Sequence, residues 1–170
     1  MKTSEKKVME LALKLNDINI SHVVAAIDSL RNQDPFSGAV RLLANLYDGT
    51  NTDEIREHIR NFMNDLKDSS VREEVITEIT GPHDQGTLTM LVSSCWQSGL
   101  DYSPWVSDLA LVFCNSDFAT ALECFTVLEE SSHALTPQKK KELIKILKES
   151  DNRKVPEKSA LAGDLISTLT

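Results

Sequence analysis

Four histidines, at 22, 58, 83 and 133, and three cysteines, at 95, 114 and 124, are the side chains best suited to metal or nucleophilic chemistry. A structural zinc site wants such ligands in closely spaced pairs. No histidine here stands four residues from another, and no Cys-x-x-Cys occurs. A thiol nucleophile needs a base and an orienting acid beside it. His83 and Asp84 directly precede the helix that carries Cys95 and lie about three turns from that thiol, which disfavours a dyad. The six glycines are scattered and make neither a Walker loop nor a dinucleotide fingerprint. The spacing therefore predicts no catalytic residue, no metal and no cofactor. Lys139-Lys140-Lys141 is a basic run at a helix start, where it opposes the dipole. Contact with an acid or phosphate is one account of it, and a solvated face is the simpler one.

The residue types left over suit binding. Trp96, Tyr102 and Trp105 lie within ten residues of one another, beside Asp101 and Asp108. Aromatics ringed by polar groups dominate the energetics of many interfaces. The competing account is packing, with Trp105 one turn before Leu109 and Trp96 following the apolar stripe at Cys95. Charge points the same way as the aromatics. From 69 to 135 one base, Arg72, stands against ten acids, a net −9; from 136 to 170 eight bases face five acids, a net +3. An acidic middle repels phosphate backbones, so nucleic acid is not expected there. The expected partner is a basic protein, met by Trp96, Asp101, Tyr102, Trp105, Glu123 and Glu129. Solubility is the plainer explanation of the same charge.

Length and composition allow one globular domain or a short array. Aromatics make up only 5% of the 170 residues, so the core must be built from Leu, Ile, Val and Ala, which favours helix packing. No apolar run approaches the ~20 residues of a membrane span, and the Lys-rich start leads into an amphipathic helix rather than an apolar leader. Three cysteines lying on apolar stripes read as buried free thiols in a reducing cytosol, so a cytoplasmic location is expected.

Helical periodicity runs throughout. Val8, Leu11, Ala12 and Leu15 form one stripe, and Val23, Val24, Ile27 and Leu30 the next. Val40, Leu42, Leu43 and Leu46 stop at Asp48-Gly49. Asn51 with Glu54 gives a capping-box pattern before Ile55, Ile59, Phe62 and Leu66. Ser70 with Glu73 opens the fifth helix, and Gly99 ends the sixth. Ser103-Pro104 opens the seventh, Asp117 caps the eighth and Thr136-Pro137 opens the ninth. A polar loop is expected at 151–157, before a tenth helix holding Leu161, Leu165, Ile166 and Leu169. Period-two alternation is absent, so no strand is expected.

The helices recur. Hydroxyls fall at Ser4, Ser37, Ser70, Ser103 and Thr136, each 33 residues after the last. First-helix stripes superpose as Leu42/Leu43/Leu46, Val75/Ile76/Ile79, Leu109/Ala110/Phe113 and Leu143/Ile144/Leu147. Second-helix stripes superpose as Val23/Ile27/Leu30, Ile55/Ile59/Phe62, Leu88/Val92/Cys95 and Ala121/Phe125/Leu128. Asp17, Asp48, Asp84, Asp117 and Asp151 sit near the intervening turns. A lone hairpin cannot bury its apolar face, whereas stacked hairpins bury it for one another. The pattern resembles HEAT-type repeats, which are helix pairs with an Asp/Asn-containing turn. The resemblance implies an all-α, right-handed α-α superhelix of about five hairpins, with units near 4–36, 37–69, 70–102, 103–135 and 136–170 in one domain. In such arrays second helices line the concave surface, which would place Arg56, Arg60, Thr89, Ser93, Gln97 and Thr126 near it. A compact irregular bundle is the alternative.

The expected function is a non-enzymatic protein-interaction module or scaffold, monomeric or weakly homodimeric. An enzyme with a small, lyase-like site in the helical groove, or a structural protein that dimerises through 96–105, is the alternative.

Overall fold

The computed structural model describes residues 3–150 and 155–170. Among these the chain is all-helical, with ten α-helices and no strand: α1 Thr3–Leu15, α2 Ile20–Ser29, α3 Ala39–Gly49, α4 Asp53–Asn64, α5 Arg72–Ile79, α6 Gln85–Gln97, α7 Val106–Asn115, α8 Phe118–Ser131, α9 Pro137–Glu149 and α10 Pro156–Leu169. None is long and apolar enough to cross a membrane. The polar loop expected at 151–157 lies mostly outside the described residues, and its last two positions already belong to α10.

The chain divides into two compact units, Met1–Leu100 and Asp101–Thr170. The division falls at the end of the third hairpin. Within the first unit α1, α3 and α5 lie side by side, as do α2, α4 and α6, and each odd helix packs on its even partner. Within the second, α7 lies beside α9, α8 beside α10, and each pairs within its hairpin. Each unit thus has two helical layers with the core between them.

That core uses the predicted stripes. Leu11, Leu15, Val23, Ile27, Leu43, Ile55, Ile59, Val75, Ile76, Ile79, Leu91 and Val92 are buried in the first unit. Val106, Leu109, Ala110, Phe113, Cys124, Leu128, Leu143, Leu147 and Leu165 are buried in the second. Each large aliphatic side chain buried this way contributes roughly 1.5–3 kcal/mol. The second-helix stripes hold at Val23, Ile27, Ile55, Ile59, Val92, Cys95, Ala121 and Leu128, with a local shift on α6 and α8. Leu91 and Cys124 are central, while Leu88 and Phe125 are half-buried. Thr87 and Thr120, 33 residues apart, lie fully in the core.

The helix starts explain that shift. Asp84 accepts the Thr87 amide at 2.8 Å and Asp117 the Thr120 amide at 2.9 Å, so each cap fixes a threonine on the inward face. Asn19 caps α2 through the Ser21 amide, and Thr136 caps α9 through the Lys139 amide. The other four hydroxyls of the 33-residue series cap nothing. Ser4 lies inside α1, and Ser37 precedes Gly38, whose φ of 99° turns the chain into α3. Ser70 and Ser103 sit in single 3-10 turns, Ser69–Val71 and Ser103–Trp105. Their amides are accepted by Asp68 at 2.8 Å and Asp101 at 2.9 Å. The repeated device is therefore Asp-x-Ser, an Asx turn, rather than the serine hydroxyl. Asn51 is likewise not a cap, since Thr52 occupies that position on α4 without a side-chain bond. Gly99, at φ 70°, ends α6 as predicted.

Candidate functional site

The turn Gly81-Pro82-His83-Asp84 between α5 and α6 carries the most constrained ionisable group in the first unit. The His83 side chain is only 4% exposed. Its Nδ1 meets Asp48 Oδ2 at 2.5 Å, and its Nε2 meets Glu78 Oε2 at 2.9 Å. Asp48 Oδ1 also accepts the Asp84 amide at 3.3 Å. Two ionised carboxylates are both satisfied by one ring only if both nitrogens carry protons, so this geometry favours the imidazolium. Burial pushes the ring's pKa down, but the hydrogen bonds to Asp48 and Glu78 outweigh it and hold the pKa above the usual 6.5. Burial pushes Asp48 up; the polar groups around it, Thr87, His83 and the Asp84 amide, outweigh it and hold the carboxyl below its usual 3.8.

A doubly protonated ring clasped by two carboxylates offers no lone pair for proton abstraction. Cys95 is buried and its thiol donates to the Leu91 carbonyl at 3.6 Å. What the His83 cluster does is join hairpins, because Asp48 ends α3 and His83 opens the next hairpin's second helix.

The same logic recurs at the first-helix starts. Glu74 of α5 reaches back to α3, where its Oε1 accepts the amides of Gly38 at 3.0 Å and Arg41 at 3.1 Å. Those are orphan donors of the α3 N-terminus, capped here by the following hairpin. Beside them lies a cleft of about 500 Å³ that includes Phe36, Ser37, Arg41, Ser70, Glu73 and Thr77. In the second unit Glu142 of α9 accepts from Ser107 of α7 at 2.7 Å and from Lys139 at 2.8 Å. The Lys139 and Ser107 bonds hold the Glu142 carboxyl below its usual range. Arg31 pairs with Asp65, His58 with Asp28, and Ser4 donates to the Ser37 carbonyl. These bonds span 30 to 36 residues, one repeat length. Near the end of α7 the buried Lys158 of α10 donates to the carbonyls of Cys114 at 3.0 Å and Ser116 at 2.8 Å. It lies 5.8 Å from the Phe113 ring centroid. A cation there meets the negative end of the α7 dipole.

The predicted partner-binding residues fall on both units. Trp96 is half-buried at the end of α6 in the first unit. Asp101, exposed, Tyr102 and Trp105 belong to the second. Tyr102 is 1% exposed and serves the core, its ring centroid 6.1 Å from that of the half-buried Trp105 and tilted by 55°. On α8 Glu123 is half-buried and Glu129 exposed. Of the residues assigned to a concave face, Arg60 and Gln97 are exposed, while Arg56, Thr89, Ser93 and Thr126 are half-buried. Arg56 stacks on the buried Tyr47 at 5.1 Å from its ring centroid, and Arg60 donates to the Tyr47 hydroxyl at 3.2 Å. Cys95 and Cys124 are buried free thiols, and Cys114 is half-buried.

Sequence reasoning missed the His83 clasp because its first carboxylate partner lies 35 residues away. The repeat period was the available signal. It also missed the surface apolar residues of the α7–α8 hairpin, Leu111, Phe118 and Leu122, which the helical period alone marks as neither core nor solvent. Among the described residues no group of three or more His, Cys, Asp or Glu side chains is placed to hold a metal ion.

Comparison with family models, curated proteins and solved structures finds no match to this chain.

Proposed function

We propose that the chain is a HEAT-like array of stacked helical hairpins that serves as a non-enzymatic scaffold for a basic protein partner. The observation that carries this is how its charges are spent. Between 69 and 135 the acids Glu73, Asp84, Asp101, Asp117, Glu129 and Glu130 are exposed, while the sole base there, Arg72, is half-buried. His83 is consumed by Asp48 and Glu78. The acidic surface left over on each unit attracts Lys and Arg and repels phosphate. The recurrence of inter-hairpin bonds at one repeat length supports the array, since each hairpin caps or clasps its neighbour within a unit.

The test is association with a chemically defined basic partner, such as lysozyme-sized cationic proteins of known charge, followed over a salt series by analytical ultracentrifugation. Association that weakens steeply with salt, and weakens again on Glu129→Lys, is expected. Association indifferent to both, or none with any cationic protein, would count against it. One observation favours a second reading, a groove enzyme: the cleft beside Arg41 and Glu73 is large enough for a small ligand. Small-molecule thermal-shift screening against Arg41→Ala separates the two.

A further inference from the structure

Helix α8 turns Thr120, Ala121, Cys124, Val127 and Leu128 inward, and within its unit it packs on α7 and α10. Its remaining face is not wholly polar. Phe118, Leu122, Phe125 and Glu129 follow one another at i, i+4, i+7 and i+11, a single stripe along the helix. Phe118 is 41% and Leu122 42% exposed, and Phe125 is half-buried. Leu111, 50% exposed, stands on α7 at the same distance from the α7–α8 turn as Leu122. Isolated exposed leucines are unremarkable, but an apolar stripe along one helix is the signature of a contact surface.

Charge says what kind of contact. Glu129 and Glu130, both exposed, close the last turn of α8, and no basic residue lies in that turn. Acids there are opposed by the helix dipole. A cation brought to that end satisfies the carboxylates and the terminal carbonyls together.

We infer that this α8 face is a docking site for a basic amphipathic helix of another protein, its leucines on Phe118 and Leu122 and its lysines or arginines at Glu129 and Glu130. The inference rests on the scaffold reading above and names where that partner lands. An amphipathic helix lays its apolar side in such a stripe through i, i+3/i+4, i+7 anchors.

The test uses the full chain and two fluorescein-labelled peptides of the same Leu/Lys composition. One is patterned as an amphipathic helix and the other is scrambled to destroy the pattern; binding is read by anisotropy. Saturable binding of the patterned peptide is expected, with the scrambled one at least about tenfold weaker. Leu122→Asp should weaken the patterned peptide about tenfold. Glu129→Lys with Glu130→Lys should do the same and flatten the salt dependence. Because all three positions are exposed, unchanged circular dichroism and melting should accompany each variant. Equal binding of both peptides, lost on Glu129→Lys and Glu130→Lys, would overturn the docking face while leaving the acidic scaffold standing. No binding of either peptide would overturn both. Light scattering that shows a dimer broken by Leu122→Asp would overturn the heterologous partner in favour of a second copy.

Discussion

Replacing His83 by alanine removes the one cation between two poorly solvated carboxylates. The Glu78 side chain is 11% exposed and Asp48 27%. Breaking a buried ion pair by deleting one partner costs about 3–5 kcal/mol, because the surviving charge stays buried. The partial exposure of Asp48 brings the expected loss to about 3 kcal/mol, against a total stability of about 5–15 kcal/mol for a domain. Urea unfolding at fixed pH, followed by circular dichroism, resolves a change of that size. The pH dependence identifies its cause. The folded pKa of His83 lies above the ordinary 6.5, so its contribution is complete below 6.5 and fades as pH rises through the raised value. The folded pKa of Asp48 lies below the ordinary 3.8, so its contribution is complete above 3.8 and fades as pH falls through the lowered value. The gap between wild type and His83→Ala should be widest between 3.8 and 6.5 and narrow on the alkaline side. A gap below about 0.5 kcal/mol near neutrality, or one that widens as pH rises, would refute the imidazolium clasp.

Four further substitutions test how the hairpins are held. Lys158→Met keeps the buried stem but leaves the Cys114 and Ser116 carbonyls without their donor; a loss of about 2 kcal/mol is expected in the same unfolding assay, and an unchanged midpoint would contradict it. Gly38→Ala places a methyl 2.9 Å from Val8 Cγ2 at a φ of 99°. Strain and crowding together should cost about 1–2 kcal/mol, seen as a lowered melting temperature. Asp84→Ala and Asp117→Ala each remove a cap at the matched position of successive hairpins, so about 1 kcal/mol is expected from each, and very unequal losses would undercut their equivalence.

Much of this architecture is legible in the sequence because helix burial obeys a short period. Leu109, Ala110 and Phe113, or Val75, Ile76 and Ile79, are spaced as an inward face must be, and all six are buried. Caps are legible where the side chain acts on its own helix, as at Asp117 and Thr136. The misread caps at Ser70 and Ser103 have one source: the 33-residue series of hydroxyls is real, but the working atoms are the carboxylates two residues earlier at Asp68 and Asp101, which bond to the serine amides. Periodicity locates a turn without saying which side chain closes it. The contacts between hairpins were harder still. Nothing local marks Glu74 as the cap of α3, because an acid in the first turn of α5 already has a local explanation in that helix's own dipole. Tyr102 shows the converse limit. An aromatic beside Asp101 and Pro104 has the composition of a binding site, yet packing on Trp105 takes it into the core.

The most direct measurement of the stacking is amide hydrogen exchange at Gly38 and Arg41, read by NMR in the wild type and in Glu74→Ala. Both amides sit at the start of α3, where an isolated helix leaves them to water, and both are bonded by a carboxylate from the hairpin that follows. Slow exchange at these two amides in the wild type, accelerated selectively by Glu74→Ala, is what successive hairpins in contact at one repeat length require. Fast exchange in the wild type, or rates unmoved by the substitution, would contradict it.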